Sequence, residues 1–117
     1  TIAPFEKGDH WKIQNSFRSK GWKPEKTFAQ KLFKKWRYDA FKDRVAVEIN
    51  TRSPCYRSVL KFILGVNQGE IDVGIIIVYN DRKIPDDKHH LFSITERELK
   101  DLFTSVPVPI LLIGLYP

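Results

Sequence analysis

Residues 70–79, EIDVGIIIVY, limit the fold of this chain more than any other stretch. From Val73 onward the run carries no charge and is rich in β-branched side chains, which lose freedom in a helix and pack well on a pleated surface. A strand without polar alternation has to be covered on both faces, as in the interior of a parallel sheet with helices on either side. Ahead of it, Tyr56, Val59, Leu60, Ile63 and Val66 recur at helical spacing. Ser53 as N-cap and Pro54 at the first helical position open that helix, and Asn67-Gln68-Gly69 closes it. Ahead of the helix, residues 44–50 alternate as a strand. Strand, helix 54–67 and strand 72–79 have the length of a right-handed parallel crossover. The fold class implied is α/β (α+β), a central mixed β-sheet flanked by helices, with 1–117 forming one domain around one hydrophobic core.

Flanking segments read less sharply. Residues 9–20 fit a helix with Asp9 at its start, Gly21 as its stop, and a narrow apolar face of Trp11, Ile13 and Phe17. Residues 22–28 contain Pro24 and suit an extended edge segment, because proline lacks a ladder donor. In residues 28–36 aromatic side chains alternate with lysines, although Phe33 and Trp36 suit a core better than a stacking surface. Residues 80–88 form a polar turn region, and His89-His90 begins a short segment ending at Ile94. Adjacent histidines on an extended chain point to opposite sides, which disfavours joint metal ligation. Thr95-Glu96-Arg97-Glu98 reads as a capping box that opens a helix to about Phe103, with Leu99, Leu102 and Phe103 inward. Pro107 and Pro109 precede a last buried strand, 110–115.

Residues 37–50, RYDAFKDRVAVEIN, hold the chemistry. They read as two short strands joined by a polar turn, with Tyr38, Ala40, Val45, Val47 and Ile49 on the core-facing parity. With Lys42-Asp43 as the turn, Phe41 opposes Arg44, Ala40 opposes Val45, Asp39 opposes Ala46 and Arg37 opposes Glu48. Lys-Asp is not a favoured two-residue turn, so a four-residue loop with the same faces is the better expectation. A slip of one residue would exchange the faces. Asp39, Glu48 and Asn50 then share a face, the two carboxylates as diagonal neighbours roughly 7–8 Å apart at the backbone. Oxygen donors at that spacing suit a divalent cation, and magnesium in particular binds through one or two carboxylates and keeps several waters.

The net charge of +6 is unevenly spread, with 15 Lys and Arg against 6 Asp and Glu in residues 1–61 and 5 against 8 in residues 62–117. The basic half contains the carboxylate pair, a footprint suited to a polyanion such as nucleic acid. A single cysteine, Cys55, excludes an internal disulfide and a thiolate metal cluster, and it fits a buried structural role in a reducing cytoplasm. The apolar runs are far shorter than the ~20 residues that span a bilayer, and no signal-peptide pattern is present. A start at Thr1 rather than Met is compatible with an upstream segment having been removed.

Asp39, then Glu48-Ile49-Asn50 within YDAFKDRVAVEIN, followed by GEIDVGIIIVYN at 69–80, resembles the BglII-type restriction endonucleases, a branch of the PD-(D/E)xK nucleases. The likeness is best over residues 37–80. It implies a restriction-endonuclease-like core and a magnesium-dependent endodeoxyribonuclease that acts as a dimer on double-stranded DNA. By that resemblance Asp39 and Glu48 are metal ligands and Asn50 fills the third catalytic position, which is Gln in that branch and Lys in most relatives. Asn50 can orient water but cannot act as a base or a cation. Arg52, Arg57 and Lys61 are expected near the carboxylate strand; Lys42 is a candidate source of positive charge, and Arg37, Arg52 and Arg57 are candidates for phosphate positioning. Two other readings are a non-catalytic DNA-binding domain with a degenerate nuclease fold and a structure-selective nuclease of the junction-resolvase kind.

Overall fold

The computed structural model describes residues 9–24, 37–50, 54–80, 92–102 and 108–115. Eight elements follow in chain order: α1 (Asp9–Ser19), β1 (Lys23–Pro24), β2 (Ala40–Lys42), β3 (Val45–Ile49), α2 (Tyr56–Asn67), β4 (Val73–Tyr79), α3 (Phe92–Leu102) and β5 (Ile110–Leu115). The strands make one mixed sheet whose spatial order is the chain order. β2 is antiparallel to both β1 and β3, whereas β3, β4 and β5 run parallel. Pro24 stands on the edge strand β1, as the missing proline N–H requires. Residues 28–36, with Phe33 and Trp36, lie outside the described residues.

Two apolar layers hold the sheet. On one face Tyr38, Ala46, Val59, Phe62, Ile76 and Val78 are buried together, joined by Phe92 and Leu99 of α3. On the other, Ala40, Val47, Ile49 and Ile77 pack beneath Ile13 and Phe17 of α1 and Trp22. Complete burial of a side chain such as Phe62 or Ile76 contributes about 1.5–3 kcal/mol. β4 is covered on both faces, as its apolar run predicts. The same reasoning predicts a buried β5, yet this end strand is only half-covered, with Leu111 exposed. The reason is its position: among the described residues it pairs with β4 on one side alone.

The helices correct the expected faces. α2 turns Ser58, Val59, Phe62 and Gly65 inward and leaves Tyr56 and Leu60 exposed, at 55% and 43%. The helix is rotated from the expected stripe because the sheet offers Gly74 as a place for a large ring, and Phe62 takes it. The Phe62 ring lies directly over Gly74 and the Tyr38 hydroxyl over Gly65, so small residues are needed where helix and sheet meet. In α1, Trp11 points to solvent, since two residues of helix rotate the side chain by ~200° away from Ile13.

Helix starts also differ from the expected ones. α2 begins at Tyr56 with Cys55 in the cap position and no side-chain cap, so Pro54 precedes the helix, and Ser53 lies outside the described residues. The Cys55 amide donates instead to Glu98 Oε1 of α3 at 3.4 Å, satisfying one of the orphan N–H groups of a helix start. Cys55 is buried, and burial followed by the Glu98 charge pushes its thiol up to about 12. α3 begins at Phe92, so Thr95 is a fully buried interior residue rather than an N-cap, and Ile94 is helical. His89, His90, Phe103 and the side chain of Leu102 lie outside the described residues.

Candidate metal and phosphate site

The geometry of the site starts at the hairpin. β2 and β3 pair as Ala40 with Val47, Phe41 with Ala46 and Lys42 with Val45. The turn is therefore the two residues Asp43-Arg44, neither Lys42-Asp43 nor a four-residue loop. Both adopt the left-handed region, at φ 49° and 67°, the signature of a type I′ hairpin turn. Arg44 is fixed there by Asp72, whose two oxygens accept from its Nε and Nη2 at 2.8 Å, and by the Gly69 carbonyl, which accepts from Nη1 at 2.6 Å. The register differs from the expected one by two residues, a shift that by itself leaves Asp39, Glu48 and Asn50 on one face.

That shift brings Asp39 directly opposite Glu48 rather than diagonal to it. The Asp39 amide donates to the Val47 carbonyl at 3.0 Å and to Glu48 Oε2 at 3.2 Å. The backbone bends at Asp39, and this bend takes Tyr38 out of the alternation. Its ring sits on the α2 face between Phe41 and Phe62, and its hydroxyl donates to the Lys61 carbonyl at 3.3 Å. Placing Tyr38 with Val47 and Ile49 is thus corrected.

Each carboxylate is held by other elements. Asp39 Oδ2 accepts from the Ile49 amide at 2.7 Å, and His10 Nε2 of α1 lies 3.1 Å from Oδ1. One helical turn on, Gln14 Nε2 donates to the Asp39 carbonyl at 2.8 Å. Glu48 is 4% exposed, and its Oε1 accepts from Lys61 Nζ of α2 at 2.5 Å. The same ammonium donates to the Arg37 carbonyl at 2.9 Å. Burial, and next the Asp39 charge, push Glu48 up to about 7 in spite of Lys61. For Asp39 burial acts upward too, but the hydrogen bonds from His10 and the Ile49 amide outweigh it and hold the group below its ordinary value. Two facing carboxyls, one raised chiefly by burial and one lowered by its hydrogen bonds, form an anionic pair that a cation would relieve.

The other site candidates are placed less uniformly. Asn50 is buried, its amide donates to the Ile77 carbonyl at 2.8 Å, and strand alternation puts it on the Glu48 side of the sheet. Arg37 is exposed just before the bend, and Arg57 is exposed on α2 one turn before Lys61. Lys42 is not in the turn but at the end of β2, where its ammonium donates to the Lys20 carbonyl at 3.2 Å. That places it beside the end of α1 rather than at the carboxylates. Arg52 lies outside the described residues. His10 and Gln14 are the groups that sequence reasoning did not bring into the site; the available signal was spacing, since they sit four apart beside Ile13 and Phe17. Lys61, expected near the carboxylate strand, reaches Glu48 itself from the inward stripe of Ser58, Phe62 and Gly65.

The donor set is hard oxygen from Asp39 and Glu48. Among the described residues no three His, Cys, Asp or Glu side chains converge as metal ligands. Two carboxylates leave the remaining positions to water and substrate oxygen, which fits magnesium better than a metal that demands an all-protein cage.

A family model described as restriction endonuclease BglII/BglIII matches residues 9–115. A comparison with curated proteins finds no match. Among solved structures, restriction endonuclease BglII complexed with a DNA 16-mer is similar with a TM-score of 0.76 at 22% identity. The match covers 94% of this chain and 54% of that one, so the chain has the same fold over about half the length of that structure.

Proposed function

The chain belongs to the restriction endonuclease BglII/BglIII family, and on that premise we propose that it is a magnesium-dependent endodeoxyribonuclease of type II restriction type. The observation that carries this reading is the facing pair of a half-buried Asp39 and a buried Glu48 at the end of a hairpin in the basic half of the chain. Mg2+ held by these carboxylates would polarise the scissile phosphate, activate a bound water and stabilise the leaving oxygen. Asp39, kept ionised by the Ile49 amide and His10, supplies a permanent anionic ligand. Glu48 gives up its proton near neutrality and supplies the second. Asn50, two residues beyond Glu48, has the donor and acceptor needed to orient a water but no charge.

Arg37, whose carbonyl shares the Lys61 ammonium with Glu48, and Arg57, one turn before Lys61 on α2, are both exposed and suited to hold the DNA backbone. Double-stranded DNA has two strands to cut, so the proposed enzyme works as a homodimer that brings one carboxylate pair to each. The likeness to a DNA-bound structure supports the partner, and no described helix is long and apolar enough to cross a membrane.

The test is incubation of the purified chain with supercoiled plasmid, with and without Mg2+, beside Asp39→Ala and Glu48→Ala. Discrete fragments from the wild type alone, with plasmid affinity kept or raised in both variants, are the expected result. Retained affinity follows because removing an anion lowers repulsion toward phosphate. Binding without cleavage at any Mg2+ concentration would make the chain a DNA-binding domain. Cleavage of four-way junctions in preference to linear duplex would make it a structure-selective nuclease.

A further inference from the structure

Burying an ammonium is costly unless it is paired, and helices that pack on a sheet ordinarily reserve their inward stripe for apolar or small side chains. Lys61 breaks that pattern. It lies on the stripe of Ser58, Phe62 and Gly65, and its side chain is 14% exposed. Its Nζ is held by Glu48 Oε1 at 2.5 Å and by the Arg37 carbonyl at 2.9 Å. A chain that needed only to attach α2 to the sheet could do so with an apolar residue here, since Val59 and Phe62 already make that contact.

The charge count at the site gives the ammonium a use. Asp39, Glu48 and one phosphodiester carry three negative charges when ionised, and a divalent cation balances two. Strand β3 cannot supply the third positive charge, because Asn50 is neutral. Lys61 stands beside Glu48 on a flexible four-carbon stem whose three donors can exchange a carboxylate for a phosphate oxygen without moving the helix.

We propose that Lys61 is the catalytic lysine of this site, delivered from α2 instead of from β3, and that it holds the scissile phosphate once Asp39 and Glu48 are committed to a metal ion. This rests on the nuclease reading above. Lys61 donates to a non-bridging phosphate oxygen and offsets the charge that builds there as water attacks and the leaving oxygen departs. No proton transfer from Lys61 is required.

The experiment compares the 117-residue wild type, Lys61→Met, Lys61→Arg and the double variant Lys61→Met/Asn50→Lys. The readouts are plasmid cleavage in Mg2+, Mn2+ affinity by calorimetry and thermal unfolding. Lys61→Met should cleave about 100-fold more slowly, the scale on which one donor to a charged transition state acts. It should bind Mn2+ as tightly as the wild type or more tightly, because it no longer competes for Glu48. Lys61→Arg should retain part of the rate, and the double variant should cleave faster than Lys61→Met because a lysine again faces the pair. Lys61→Gln carries the same comparison if Lys61→Met does not fold. Wild-type rates in the folded Met or Gln variant, or a loss that follows lost Mn2+ affinity, would overturn the assignment and reduce Lys61 to a prop for Glu48. A wild type that neither cleaves nor binds Mn2+ would overturn the nuclease reading itself, and this inference with it.

Discussion

Between the ordinary carboxylate range and about pH 7, the folded chain keeps a proton on Glu48 that the unfolded chain has already released. The folded state therefore binds more protons there, and its stability falls as pH rises through that window. One excess bound proton changes stability by about 1.4 kcal/mol for every pH step of one, so the loss between about pH 5 and pH 8 is about 3 kcal/mol in metal-free protein. Asp39 acts oppositely: its lowered value adds stability that is present above the ordinary range and lost as pH falls through it. Urea unfolding at a series of pH values should thus show a maximum near about pH 5, and Glu48→Gln should abolish the decline on the alkaline side. Mg2+ added at about pH 8 should raise Tm in the wild type and leave Asp39→Ala unmoved, by mass action on the folded state alone. Asp39, Glu48 and Asn50 are legible in the sequence as neighbours because strand alternation is a local property and a two-residue register error preserves it. His10 and Gln14 are not legible as site residues, because what brings them there is the packing of α1 on the sheet; Lys61 is legible as a neighbour of the carboxylate strand, but its contact with Glu48 depends on how α2 packs on the opposite face.

The elements differ in how far local pattern decides them. β3, β4 and the end of α2 at Gly69 follow from periodicity and a glycine at φ 72°. The inward face of α2 does not, since an amphipathic helix whose outer side also carries Tyr56 and Leu60 offers two apolar stripes. What selects one is steric: only Gly74 leaves space for the Phe62 ring. Gly74→Ala places a methyl group inside that ring's volume and should destabilise the fold by about 1–3 kcal/mol, as overpacking does, measured by chemical denaturation. The turn escapes sequence reading for a related reason. Asp43 tolerates left-handed backbone but Arg44 does not favour it, and no dipeptide rule points to the pair; the Arg44 contacts with Asp72 and Gly69 hold it there.

Over the whole molecule, the positive surplus and the carboxylate pair lie in the same stretch of chain, residues 9–61 of the described structure contributing α1, the hairpin and the first half of α2. DNA affinity should therefore fall with salt, by about 0.9 in log affinity per log salt for each phosphate neutralised. Fluorescence anisotropy with a labelled duplex reads that slope, and a flat response would make the basic half a solubilising surface. The order of the strands has another consequence. Because β1 to β5 lie side by side in the order of translation, every strand after the first docks at an open edge and none has to be threaded between two already in place. A growing chain can enlarge its sheet one strand at a time as it leaves the ribosome. His10, Asp39, Glu48 and Lys61 are all synthesised before β4, which pairs along the whole of β3 and gives the carboxylate strand its second neighbour.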